Sequence, residues 1–150
     1  MPDLNTLDDL PGPVRAAMAD YAADPARADL TLRVACASAD DPLPLYRVQY
    51  KFYNRQRRFD TARDYAASAL AEAARRASLP ADRATWTADM LDRVDPALAS
   101  HVLLAMKALA FLSLRGDRLE DAHPILEMLA ELDPGDGSGA SVVRALADGA

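Results

Sequence analysis

Leu45-Tyr46-Arg47-Val48-Gln49-Tyr50-Lys51-Phe52-Tyr53-Asn54-Arg55-Gln56-Arg57 is the stretch on which the fold reading turns. Tyr46, Tyr50 and Tyr53 recur at spacings of four and three, so a helix over 45–57 puts them on one face. Phe59-Asp60-Thr61 then turns the chain, with Asp60 or Thr61 placed to cap a second helix. That helix carries Ala62, Tyr65, Ala66, Ala69, Leu70 and Ala73 to about Ala77, and Leu79-Pro80 ends it. Together the two segments predict an antiparallel hairpin whose small side chains permit close packing.

The same punctuation divides the rest of the chain. Pro11-Gly12-Pro13 opens a short helical pattern over 14–23, which Asp24-Pro25 ends. Residues 26–39 are alanine-rich and favour a helix, although Leu30-Thr31-Leu32-Arg33-Val34 also suits a strand. Residues 81–94 hold the single tryptophan, Trp86, and read as a short helix or ordered insert. Asp95 is placed to cap an apolar helix that starts at Pro96 and runs to Arg115. Gly116-Asp117 turns the chain into a helix over 119–132, with Pro124 near its first turn. Asp133-Pro134-Gly135-Asp136-Gly137 stops that helix, and 141–147 form a last short one. Seven or eight antiparallel helices with short connections predict an all-α domain over 1–150.

Composition agrees. Apolar residues make up 51% of the 150 and charged residues 27%, the balance of an ordinary globular chain. Alanine, the best helix former, occurs 32 times. The single cysteine, Cys36, excludes an internal disulfide, and two histidines leave little material for a soft metal site. The net charge of −6 argues against general attraction to nucleic acid or anionic lipid. Met1 to Thr6 lacks the basic and apolar regions of a secretory signal. Residues 97–114 reach only the lower length for a bilayer span and carry His101 and Lys107 inside, so a buried central helix and a cytoplasmic protein are expected.

Charge is segregated. Residues 47–58 hold five basic side chains and no acid, which leaves 12 basic and 23 acidic residues elsewhere, or −11. Arg47, Lys51, Arg55 and Arg58 follow spacings of four, four and three and form a stripe beside the tyrosines. Guanidinium and ammonium donors suit carboxylates. Internal pairing with acids such as Asp60, Asp64, Asp117 or Asp121 is the competing use of these cations.

Two of the hairpins resemble tetratricopeptide repeats, the helix-turn-helix units of about 34 residues that stack into solenoids. In the first, about 43–76, Tyr46, Tyr53, Phe59, Ala62, Ala69 and Leu70 sit where the repeat places its packing residues. In the second, about 103–136, Leu109, Ala110, Ala122, Leu126 and Pro134 fit the same register. Tyr50, Ser113 and Leu129 depart from the pattern, and Ala62 and Ala122 lie 60 residues apart, which implies an insert of about 77–102. The resemblance implies a right-handed superhelical fragment with capping helices at both ends, the last at about 139–148. It also implies that the first helix of each repeat lines a concave groove. On that register Arg47, Lys51, Asn54 and Arg55 face the groove from one repeat, and Leu104, Lys107, Phe111 and Arg115 from the other.

The function expected is therefore a non-enzymatic protein-interaction module, an adaptor or assembly chaperone. It would hold an acidic or C-terminal peptide segment of another protein. Arg47, Lys51, Arg55, Lys107 and Arg115 would supply charge, Asn54 a backbone contact and Phe111 an apolar one. The alternative is a self-associating structural protein, a homodimer using the tyrosine face or the final hairpin. Nucleic acid fits poorly with the −11 remainder. His101 and His123 are isolated, and Ser100 and His101 point apart as helix neighbours, so neither a metal, a cofactor nor a catalytic group is assigned. Cys36 reads as a small buried residue.

Overall fold

In the computed structural model residues 10–149 are described; residues 1–9, with the N-terminal stretch read above, and 150 lie outside them. Eight α-helices follow in order: α1 Gly12–Ala19, α2 Pro25–Ser38, α3 Leu43–Arg55, α4 Phe59–Arg76, α5 Ala88–Asp92, α6 Pro96–Arg115, α7 Leu119–Leu132 and α8 Ala140–Asp148. One 3₁₀ turn, Arg83–Thr85, precedes α5. No strand occurs among the described residues, and the 26–39 segment is helical.

The ends are set by local chemistry. Asp24 accepts from the Arg27 amide at 3.1 Å, and Asp95 from the Leu98 amide at 3.2 Å, each with proline as the first helical residue. Neither Asp60 nor Thr61 caps α4; that helix starts at Phe59 after Arg58 with no side-chain cap, and Asp60 sits in its first turn. Helices α3, α4 and α6 close alike. Arg57, Ser78 and Asp117 take left-handed φ of 60°, 56° and 59°. The next amide bonds back across the last turn, Arg58 to the Tyr53 carbonyl, Leu79 to Ala74 and Arg118 to Ser113. Helix α7 starts at Leu119 as expected and holds Pro124 just past its first turn.

Packing centres on α4 and α6, which lie against each other; α3 also packs on α4, and α7 on α6. Ala62, Ala66, Ala69 and Ala73 form one buried stripe along α4. Helix α6 is long and apolar enough to cross a membrane by length and composition alone. Here Val102, Ala105, Met106, Leu109, Ala110, Leu112 and Ser113 are buried in the helix core. The Ser113 hydroxyl, in that apolar setting, donates to the Leu109 carbonyl at 2.8 Å.

The tyrosines are spent on the core. Tyr53 is fully buried, stacked on Tyr65 with centroids 5.6 Å apart and edge-on to Tyr21 and Phe52. Tyr50 is buried and Tyr46 half-buried against Tyr65. The expected exposed tyrosine face for self-association is therefore not available. Trp86 is also buried, its indole donating to the Pro80 carbonyl at 2.8 Å, so the insert is tied down by its own tryptophan.

The α4 stripe gives a direct test. Ala66 has no exposed surface. Ala66→Leu should lower stability by about 1–3 kcal/mol, because the added carbons force the packed helices apart. Thermal unfolding followed by circular dichroism measures it.

Candidate functional site

Helix α3 presents Arg47, Tyr50, Lys51 and Asn54 to a hollow of about 440 Å³. Helix α6 forms the floor with Leu104, Lys107, Ala108, Phe111 and Leu112. Helix α8 supplies a third wall of Val142, Val143 and Leu146. Among the described residues no carboxylate, histidine or cysteine lines it. An adjoining hollow of about 390 Å³ shares Phe111 and Leu146 and adds Leu114, Arg115, Asp117 and Leu119.

Of the seven residues read from the sequence, Arg47, Lys51, Asn54, Lys107 and Phe111 line the main hollow, and Arg115 lines its neighbour. Arg55 is exposed and lines neither. Helix geometry explains the difference: each step of four residues advances about 40° beyond a full turn, so Arg55 has rotated about 80° from Arg47 while Asn54 stays within about 20°. Arg58, the last member of the stripe, bonds to Tyr21 and to Asp29 at 2.6 Å, and also to Thr61 at 3.0 Å. It is a structural joint between the α1–α2 turn, α2 and the α3–α4 turn.

Each groove residue has a distinct environment. The Arg47 Nε is buried with no hydrogen-bond partner among the described residues, and its guanidinium opposes the rise that burial causes in the Tyr50 phenol pKa. Arg115 lies over the Phe59 ring at 4.7 Å and the Phe111 ring at 5.9 Å, and donates to Asn54 Oδ1 at 3.3 Å across the α3–α6 boundary. Lys107 donates to the Ser138 carbonyl at 2.9 Å. Its ammonium thereby fastens the turn before α8. A Cβ at Gly139, where φ is +75°, would lie 3.3 Å from that ammonium, so both the backbone conformation and the close approach of Lys107 favour glycine there.

Several of the protein's carboxylates pair elsewhere. Asp60 and Asp121 meet Arg63 and Arg118. Asp41 and Glu72 meet Arg76, and Glu72 also meets Arg75; hydrogen bonds from Arg75 and then Arg76 hold the Glu72 carboxyl down to about 2. Among the described residues, none of these ion pairs uses Arg47, Lys107 or Arg115.

The α8 wall was missed by sequence reasoning. Val142 and Leu146 are 64% and 55% exposed, while Val143 and Ala147 are buried. The signal lies in 141–147: two apolar pairs at a spacing of four, one more than docking a helix needs. Cys36 is buried, and desolvation raises its thiol to about 11. No protein-family model, characterised protein or solved structure matches this chain.

Two outcomes follow. Lys107→Met should loosen α8, seen as faster amide exchange in 140–148, with α4 and α6 unchanged. His101 is half-buried; desolvation and then Arg47 lower its pKa below the usual 6.5. The unfolded chain therefore takes up this proton first as pH falls. Stability should drop from about pH 7 through the depressed value, and His101→Gln should remove that part of the slope in denaturant titrations.

Proposed function

We propose that this chain is a non-enzymatic binding module of tetratricopeptide-like hairpins that captures an acidic segment of another protein. The observation that carries the reading is the hollow between α3, α6 and α8: Arg47, Lys51 and Lys107 line it and, among the described residues, no acid does, in a chain of net charge −6. The α3–α4 and α6–α7 pairs, joined through α4 and α6, support the repeat-like arrangement. The 3₁₀ turn and α5 stand between them as an insert.

The chemistry runs from charge to fit. Arg47 and Lys51 offer donors to carboxylates from the α3 side. A buried donor without a partner costs about 1–3 kcal/mol, so the Arg47 guanidinium gains most from an incoming acceptor. Phe111 and Leu104 give apolar contact, and Asn54 with Arg115 bridges the two helices. Lys107 acts as the fastening of α8 and lends its charge to the floor. The setting proposed is the cytoplasm. Self-association is the second reading, favoured by Leu30 and Val34, which stand exposed one turn apart on α2.

A labelled peptide of glutamates and leucines, and its lysine-for-glutamate counterpart, test the proposal by fluorescence anisotropy. The acidic peptide should bind, more weakly as salt rises, and the basic one should not. Arg47→Glu with Lys51→Glu should weaken binding by about tenfold or more while the helical signal is kept. Equal binding of both peptides, or an indifferent double variant, refutes it.

A further inference from the structure

We infer that the segment held in this trough is an amphipathic helix, with its aliphatic ridge against α8 and its acidic flank toward α3. The inference rests on the proposed binding role of the same hollow and adds the shape of what enters it.

The two sides of the trough differ in kind. The α3 side is basic, with Arg47 and Lys51. The α8 side is aliphatic: Val142 and Leu146 stand more than half exposed, one turn apart, and Leu146 continues the wall into the adjoining hollow beside Phe111. Large apolar side chains at a four-residue spacing form a ridge that packs into the groove of another helix. Charge complementarity fixes which way that helix turns, acids toward Arg47 and leucines toward Leu146.

Backbone hydrogen bonding decides between a helix and an extended strand. An extended segment buried here would need partners for its amides and carbonyls. The lining offers few acceptors for amides: among the described residues no carboxylate lines it, and Asn54 Oδ1 already accepts from Arg115. A helix satisfies its own backbone and asks of the trough only apolar contact along one stripe and cations along the next. The hollow has that layout.

The test uses the full chain and two labelled probes of about 18 residues with identical composition, the length of roughly five helical turns. One places leucines on a single helical face with glutamates beside them; the other shuffles the order so that no face forms. The amphipathic probe should bind about tenfold tighter or better, with a gain in helical circular dichroism on mixing. Val142→Ser with Leu146→Ser should erase that advantage. Both side chains are exposed while Ala140, Val143 and Ala147 keep α8 docked, and an unchanged melting curve confirms the variant is folded. If both probes bind alike and the serine variant is indifferent, while Arg47→Glu still weakens binding, the helical occupant is refuted and the basic groove stands. If neither probe binds, both readings fall. If the chain dimerises in sedimentation equilibrium, the serine variant does not, and neither probe competes, a second copy fills the trough and the inference is overturned.

Discussion

The alanine stripe of α4 is the constraint on which the architecture depends. Ala62, Ala66, Ala69 and Ala73 are almost wholly shielded, and α4 is in contact with both α3 and α6. Helix axes approach most closely where side chains are smallest. With α4 thin, α3 and α6 are drawn toward each other over it, close enough for Arg115 of α6 to reach Asn54 of α3. Larger residues along α4 would part the two helices and leave two unrelated surfaces in place of one trough. The stripe thus sets the shape of the trough through packing.

The cations divide by task. Arg58, Arg63, Arg75, Arg76 and Arg118 are consumed by ion pairs with the chain's own acids. Several of these tie elements distant in sequence, as Arg58 does with Asp29 and Arg76 with Asp41. Such partly exposed pairs add little stability each. Helix α3 is fixed on its far side in another way: the buried Gln49 donates from Nε2 to the Leu32 carbonyl and to Cys36 Sγ, at 3.0 and 3.1 Å. That polar tie joins α2 to α3, where backbone contact is sparse.

Much of this could be read from the residues. Proline and glycine positions gave most helix boundaries, and the charge segregation singled out α3. What escaped the sequence did so for physical reasons. Asp60 and Thr61 are good caps by type, yet α4 begins earlier because the chain leaves α3 through a left-handed Arg57 and has already turned by Phe59. The four-residue basic stripe looked continuous, but the slow rotation of such a stripe around a helix carries Arg55 out of the trough. Lys107 read as a free contact, since nothing local predicts that a carbonyl 31 residues on will accept from it. Long-range hydrogen bonds are decided by tertiary placement, which periodicity does not encode.

The trough is also prepared before anything enters it. Binding costs the ordering of long side chains, and arginine and lysine carry the largest share. Arg115 is already stacked between Phe59 and Phe111, and Lys107 is already fixed at the turn before α8. Arg47 is held with part of its guanidinium buried. Arg115 and Lys107 are thus positioned by the protein's own contacts, and part of their side-chain entropy is lost on folding. The exposed Val142 and Leu146 have no such internal role: α8 docks through Ala140, Val143 and Ala147 on its other face. Ordered charges with uncovered apolar carbon beside them suit the proposed capture of a segment from another protein.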